Sequence, residues 1–529
     1  MAKKVSKEII IFLLIFLVAI FFRFWKLNSL PPGLYPDVAI NGNDAIDSLM
    51  NKNFKVFYPE NNGREGMMMW LIAISFLIFG KSVLAIKLVA AIFGTMTVFI
   101  TFLLSKELSS YLFQDEFDKK LFSFFVTISL AANFWHINFS RIGFRTILLP
   151  FFLSLGFYFL VKGNKSRNLI FYILSGIFLG LGIYTYTSYR MTIFVLIVYL
   201  FSLFLILKKE KNLSLFFKIS FFFILSLLIT TLPFFIYIYY HPEDFIGRAS
   251  QVMIFSDKNP IKSFFLSFLK TLGMFLISGD QNWRHNFPGK PELLPILGIF
   301  MFFGIFYSIY AILKSIKSRD WEIFLIHSFL ISWFFFLLAG SFLTKEGIPH
   351  ALRAIGVIPV VFIFSSLGSI KFFNYLKLTF ETKKIIIFIF SLVLIFYGYY
   401  YYFILWGKSS ELKGAFSQRY LEIGEFLNNL PEDIEKYVIV NQGGVPVPYP
   451  NGFPMPAQTP IFIERTKYEN PRAIYLLPKD LNQIKINKKT IIIPLECDEN
   501  LLHELSQNFP GGKIVKNDIC FYEVNGKNF

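Results

Sequence analysis

Apolar runs long enough to cross a bilayer recur along this 529-residue chain, and nothing else constrains its fold as strongly. A helix rises about 1.5 Å per residue, so a hydrocarbon core about 30 Å thick takes about 20 apolar residues. Backbone polar groups in that core must be satisfied without water, which leaves helices or closed barrels. The runs here are continuous and do not alternate, so they read as helices. With 55% hydrophobic and 16% charged residues the chain lacks the polar surface of a soluble enzyme. It reads as an all-α polytopic membrane protein.

Charge patterning orients the spans. Lys3, Lys4 and Lys7 precede an apolar run from Ile9 to Phe22, flanked by Arg23, Trp25 and Lys26. A small-residue cleavage site is missing after it, so it reads as an uncleaved anchor with a cytoplasmic N-terminus. Further spans run Leu84–Leu104, Leu121–Asn133, Ile147–Val161, Leu169–Tyr186, Thr192–Leu207, Leu215–Tyr239, Leu294–Leu313, Ile323–Leu343, Ile355–Ile370 and Ile385–Leu405. That makes about eleven transmembrane helices. The apolar stretch Met67–Gly80 is shorter and reads as an interfacial or re-entrant helix. With this assignment the inner loops collect Lys106, Lys119 and Lys120; Lys162, Lys165 and Arg167; Lys208, Lys209 and Lys211; Lys314, Lys317 and Arg319; and Lys371, Lys377, Lys383 and Lys384. The net charge of +17 is therefore read as topology, not as a nucleic-acid surface.

After Trp406 the composition changes. A helical piece, Arg419–Leu430, is followed by β-rich runs KYVIVN, TPIFIE, AIYLL, TIIIPL and ICFYEV, a small C-terminal α/β domain. The odd span count puts it outside the cell membrane. The proline-rich stretch Val445–Pro456 must be a loop. The expected organisation is a transmembrane domain over 1–406, carrying the first outer loop 26–81, and an extracytoplasmic domain over 407–529. Cys497 and Cys520 are too few for a metal site or a disulfide scaffold; an extracytoplasmic setting would permit one bond between them.

Ionisable residues beside apolar spans are costly and mark function. They gather in the outer loops: Asp37, Glu60, Glu65, Asp280 and Lys345, with His136, His241, His285 and His350. The basic residues there are mostly arginines, Arg64, Arg141, Arg145, Arg190, Arg248, Arg284 and Arg353, whereas the inner loops favour lysine. An arginine fork suits bidentate phosphate binding or headgroup contact. Asp37 follows Pro31, Pro32 and Gly33, a rigid turn that delivers it to the membrane surface as a candidate general base. Asp44 and Asp47 read as structural. Glu65, beside Arg64 in NNGREG, stands at the entrance of the interfacial stretch. Arg141 with Arg145, and Tyr186 with Arg190, are four apart, a spacing that can share one helix face.

The segments PPGLYPDVAINGNDAI, VFYPENNGREG, SRIGFRTILLP, GLGIYTYTSYR, GDQNWRHNFPGKPELLP and GIPHALRAIGVIP together resemble the GT-C superfamily of polyprenol-dependent glycosyltransferases. The nearest branch is similar to dolichyl-phosphate-mannose protein mannosyltransferases and to the aminoarabinose transferase that modifies lipid A. The resemblance covers about the first 370 residues. It implies an inverting membrane transferase that moves a sugar from a polyprenyl-phosphate carrier to a protein, lipid or glycan acceptor on the outer face. It further implies Asp37 as the catalytic acid-loop residue and Glu65 as a second acid, although Val38 stands where the family commonly has Glu. Arg284, His285, His350 and Arg353, with Arg141, Arg145 and Arg190, would grip the donor phosphate. Arg64, Asn62, Tyr186 and Asp280 would position substrate. The sugar-loaded carrier is a co-substrate; no cofactor is declared, and a divalent metal is left open because no ligand spacing declares one. The oligosaccharyltransferase WWDYG-type signature is absent from the C-terminal part. The rival readings are a flippase or transporter for a lipid-linked glycan, using the same arginines, and a polymer ligase.

Overall fold

The computed structural model describes residues 7–245, 254, 259–344, 346–445, 447 and 452–526. Lys3, Lys4, Arg248, Lys345 and part of the proline-rich stretch lie outside them. Each expected span has a helix: Lys7–Phe24, Val83–Leu112, Glu116–Ala132, Leu148–Ser166, Leu169–Leu181, Thr192–Lys209, Leu213–Tyr240, Pro295–Ser318, Trp321–Phe342, Ile358–Tyr375 and Phe380–Tyr399. Among the described residues eight of these helices, some with a short helical extension, are long and apolar enough to cross a membrane. Ile10–Phe24 and Leu169–Tyr184 are apolar but shorter. Glu116–Ala132, of 17 residues, opens on charged residues. Met67–Phe79, at 13 residues, is too short to span, in line with its reading as an interfacial helix. One amphipathic helix, Pro260–Gly273, was not anticipated, because its apolar positions are broken by Lys262, Ser263, Ser267 and Lys270.

The chain divides into two compact units, Met1–Trp25 with Ala90–Lys408, and Lys26–Val89 with Ser409–Phe529. The first is the polytopic helical body. Small residues set its closest helix contacts. A Cβ at Gly304 would overlap the backbone of Phe364, and one at Gly368 the carbonyl of Phe300, so the helices carrying them approach backbone to backbone.

The second unit joins the first outer segment to the C-terminal residues. Its outer segment forms the helix Pro36–Met50, a two-stranded hairpin, β1 (Phe57–Tyr58) and β2 (Arg64–Glu65), and the helix Met67–Phe79. The C-terminal part holds β3 (Glu435–Ile439), β4 (Ile474–Leu476), β5 (Thr490–Pro494), β6 (Lys513–Lys516) and β7 (Cys520–Val524) in the order β4-β3-β5-β7-β6. The first three strands are parallel, and β7 and β6 complete the sheet antiparallel. Central β5 is buried throughout, as its unbroken TIIIP run requires. Ile423, Leu427, Val438, Ile461, Ile491 and Ile493 pack on one face of the sheet, and Tyr437, Ile492, Leu501, Leu505 and Tyr522 on the other. A disulfide joins Cys497, just after β5, to Cys520, with Cα atoms 5.9 Å apart.

One sequence expectation is corrected here. TPIFIE is not a strand but the heart of the helix Gln458–Lys467. It packs between the helices Pro36–Met50 and Gln418–Asn429, so Ile461, Phe462 and Ile463 are all buried and no amphipathic stripe marks the helix. The short helix Glu499–Asn508 was also missed, although Asp498 caps it and Leu501, Leu502 and Leu505 mark its buried face, and strand β6 has only Ile514 and Val515 to announce it.

This helix pair is tightly fitted. A Cβ at Gly42 would stand 2.6 Å from the Phe462 ring and 2.8 Å from the Ile86 Cδ1. Asn43 Nδ2 donates to the Gln458 carbonyl (3.1 Å) and Oε1 (3.0 Å), Thr459 donates to the Leu34 carbonyl (3.0 Å), and buried Arg465 pairs with Asp47. Gly42→Val should therefore cost about 1–3 kcal/mol by overpacking. It should lower the unfolding temperature of the detergent-purified protein, whereas Gly414→Val, where among the described residues no atom lies within 4 Å of a built Cβ, should not.

Candidate active site

The site residues fall into two groups, one in each unit. In the second unit, Asp37 occupies the first turn of the helix Pro36–Met50, with Pro36 supplying a φ suited to a helix start. The helix N-terminus favours a carboxylate there. Gly33 (φ 65°) allows the preceding turn, whose closest neighbour is the carbonyl of Phe416. Asp37 is half-buried, and Asn61 Nδ2 donates to its Oδ1 at 3.0 Å.

Asn61 reaches Asp37 because the turn after Pro59 places Asn61, Asn62 and Gly63 in succession at positive φ (53°, 62° and 86°), where Asn and Gly are tolerated best. Gly63 N–H closes the turn on the Pro59 carbonyl at 3.0 Å. Asn62, the residue singled out from sequence, is exposed, and its neighbour Asn61 makes the contact. The doubled Asn before Gly was the available signal.

Arg64 is fully buried and turned inward. Its Nη1 meets Asp44 Oδ2 at 2.6 Å and Asn41 Oδ1 at 2.9 Å, and its Nε donates to the Glu60 carbonyl at 3.2 Å. Burial pushes the Asp44 carboxyl up, with Arg64 opposing. Glu65, 1% exposed, pairs with Phe57 across the hairpin, directly before the helix Met67–Phe79.

In the first unit, Asp280, His285 and His350 come together from two loops. Asp280 Oδ2 lies 2.8 Å from His285 Nδ1 and 3.6 Å from His350 Nδ1, and accepts the Ala351 N–H at 2.9 Å. One carboxylate thus fastens the loop before Pro295 to the loop before Ile355. Its Oδ1 accepts the Asn282 N–H at 2.9 Å. Burial raises the Asp280 pKa, but the His285 hydrogen bond, the charges of His285 and His350 and the Asn282 N–H outweigh it, leaving the carboxyl below its usual range. A cavity of about 380 Å³ opens on these residues, lined also by Gln281, Asn282 and Pro349. The three donor atoms lie within 4.8 Å of one another, and two imidazoles with a carboxylate form a set that suits a divalent transition metal.

Arg284 is half-buried beside His285, and its carbonyl accepts from Asn138 Nδ2 at 2.7 Å. Arg353 is half-buried and donates to the Glu346 carbonyl at 3.2 Å. The spacing argument for the other arginines is corrected. A turn with Gly143 at φ 84° separates Arg141 from Arg145, and Tyr186 is extended before a 3₁₀ turn, so neither pair shares a helix face. Arg145 instead stacks over the Tyr186 ring at 5.2 Å. Arg141 is buried and donates to the carbonyls of Phe22 (2.8 Å) and Trp25 (2.7 Å), the C-terminal end of the first helix. Arg190 donates to the Phe245 carbonyl at 2.6 Å. His136 is buried against Arg23, its Nδ1 2.6 Å from Nη2, and His241 is exposed.

Glu292 was missed, although it sits in the GKPELLP segment between two prolines. It is 2% exposed, and its Oε1 accepts the Asp280 N–H at 3.0 Å. Gly279 leaves room for it, since a Cβ there would stand 2.6 Å from that oxygen. Burial, with the nearby Asp280 charge, raises the Glu292 pKa well above the usual carboxylate value against the opposing hydrogen bond. The unfolded chain then loses this proton first, at about pH 4.3. The stability contribution is full below that pH and is lost as pH rises towards the folded value. Glu292→Gln keeps an acceptor oxygen and removes the titration. Between pH 5 and 8 its unfolding temperature should fall less than that of the wild type, and parallel pH curves for the two would refute a protonated Glu292.

No model of a known protein family matches the sequence. No curated protein matches it. Solved structures do resemble the chain. ArnT from Cupriavidus metallidurans bound to undecaprenyl phosphate matches 98% of this chain and 98% of its own at 12% identity and a TM-score of 0.57. The same protein in the apo state matches 98% and 97% at 12% identity with a TM-score of 0.54. The apo Archaeoglobus fulgidus oligosaccharyltransferase matches 83% of this chain and 63% of its own at 14% identity with a TM-score of 0.51. At such identities the likeness is one of fold, and it extends over nearly the whole chain for ArnT and over 83% of it for the oligosaccharyltransferase.

Proposed function

We propose that the chain is an inverting glycosyltransferase that moves a sugar from a polyprenyl-phosphate carrier to an acceptor hydroxyl at the outer membrane–water boundary. One observation carries the reading beyond fold. The helix Pro36–Met50 holds five Asp and Asn side chains. Asn41 and Asp44 meet Arg64, Asp47 meets Arg465, and Asn43 meets Gln458. Asp37, at the helix start, is held only by the neutral amide of Asn61 among the described residues. A carboxylate oriented by an amide and left without a cation is available to take a proton from an attacking hydroxyl. The ArnT structure, whose crystal holds undecaprenyl phosphate, supports a lipid-phosphate donor for the same fold.

In this reading Asp37 is the base, and the active site and C-terminal residues face the extracytoplasmic side. Arg284, His285, His350 and Arg353 are assigned to the carrier phosphate, where cations stabilise the charge that develops as the sugar leaves. Asp280 orients the two imidazoles. If a divalent cation serves the reaction, Asp280, His285 and His350 are the residues to hold it, and it would supply further positive charge to the leaving phosphate. Arg64 and Arg141, spent on internal partners, are assigned to holding the site's framework. Glu65 is assigned a role in acceptor orientation.

Asp37→Asn should lower sugar transfer from radiolabelled polyprenyl-phosphate sugars in proteoliposomes by about 10²–10⁴-fold, with donor binding and unfolding temperature retained. Wild-type transfer rates in that variant would remove the mechanism. Label crossing the bilayer unconsumed, equally in both proteins, would make the chain a lipid transporter.

A further inference from the structure

The unit Lys26–Val89 with Ser409–Phe529 contains a cavity of about 700 Å³ to which the residues above assign nothing. Its size falls in the range of small-molecule sites. The first turns of the helix Gln418–Asn429 form one wall, and Glu496 with Asp518 and Ile519 form the facing rim. We propose that this cavity binds a non-acidic saccharide, the glycan portion of the acceptor; the assignment as acceptor rests on the transferase reading, the binding site does not.

The lining is that of a hydroxyl-binding site. Four carboxylates, Glu422, Glu425, Glu496 and Asp518, face two cations, Lys413 and Arg419, so an anionic ligand is disfavoured. Carboxylate, amide and guanidinium groups are planar forks that can each engage two neighbouring hydroxyls. Several are already held in place. Gln418 Nε2 donates to Glu422 Oε1 at 2.6 Å, and the Tyr420 hydroxyl to Glu496 Oε1 at 2.7 Å. Arg419, also in the lining, is held by its Nε, which donates to the Leu495 carbonyl at 2.7 Å. Phe426, half-buried and packed on Phe521 at 5.3 Å between ring centroids, gives the cavity an apolar surface for the C–H face of a sugar ring.

Two further features tie the cavity to the proposed chemistry. Ser417, in its wall, takes a left-handed backbone (φ 52°) directly after Phe416, whose carbonyl is the nearest neighbour of Gly33. Gly33 lies in the turn that leads to Asp37, so the same segment borders the cavity and supports the delivery of the base. The Cys497–Cys520 disulfide adjoins both Glu496 and Ile519 and so fixes the facing rim.

The test is calorimetric titration of the full-length protein in detergent with mannotriose, cellotriose and chitotriose, and with a galacturonate trisaccharide as the acidic comparator. At least one neutral trisaccharide should bind, and Glu422→Gln and Arg419→Met should each weaken it at least tenfold. Glu504→Gln, on the exposed side of the helix Glu499–Asn508, should bind as wild type. No binding by any neutral trisaccharide, binding by galacturonate alone, or wild-type affinity in Glu422→Gln would overturn the site. In transfer assays Glu422→Gln should raise KM for a glycan acceptor while leaving kcat within about twofold, a split that general misfolding would not produce. Saccharide binding without transfer from any donor would refute the transferase and leave the site standing. Transfer to a non-glycan acceptor without saccharide binding would do the reverse.

Discussion

The packing of the helix Gln458–Lys467 on the helix Pro36–Met50 is the contact on which the candidate site depends. A helix whose sequence is PDVAINGNDAIDSLM is too polar to be held by apolar burial alone. Its place is fixed by partners for its polar groups, some in the adjoining hairpin and two remote: Gln458 and Arg465 lie more than 400 residues further along the chain. A buried polar group left unpaired costs about 1–3 kcal/mol, so each pairing also excludes alternative registers of the helix. Gly42 lets the two backbones approach, and Asp37 is the acid that this scheme leaves without an arginine. The C-terminal residues are thereby part of the platform of the first outer segment and not an appendage.

A second carboxylate organises the other group in the same manner. Asp280 spends one oxygen on His285 and on the Ala351 N–H and the other on the start of its own loop. Glu292 holds its backbone N–H from behind. A charge this buried is tolerable only with such a full set of donors. The result is two loops bound to one another at a cavity that the sequence alone shows only as scattered histidines.

Much of the fold was legible because a bilayer imposes a simple rule. Every span inferred from apolar length has its helix, and the strands of the C-terminal sheet were visible where β-branched runs were buried on both faces, as in TIIIPL. TPIFIE failed for the complementary reason: a helix buried all round has no periodicity to read, and Pro460 falls in its first turn, where a helix tolerates proline. The arginine pairs failed because i,i+4 spacing has meaning only within one helix. Gly143 breaks the chain between Arg141 and Arg145, and an extended Tyr186 precedes Arg190.

By itself the sequence determined that this is a polytopic helical membrane protein with a small α/β part after the last span, because apolar length and strand burial are local properties. It also singled out Asp37, His285 and His350, because polar residues bordering a membrane are rare and costly. Only the tertiary structure decided which polar residue meets which: that Asn61 rather than Asn62 holds Asp37, that Arg64 and Arg141 turn inward, and that Glu292 backs Asp280. These are contacts between segments far apart in the chain or across a left-handed turn. Their partners are chosen by backbone geometry and packing, which residue type and spacing do not encode.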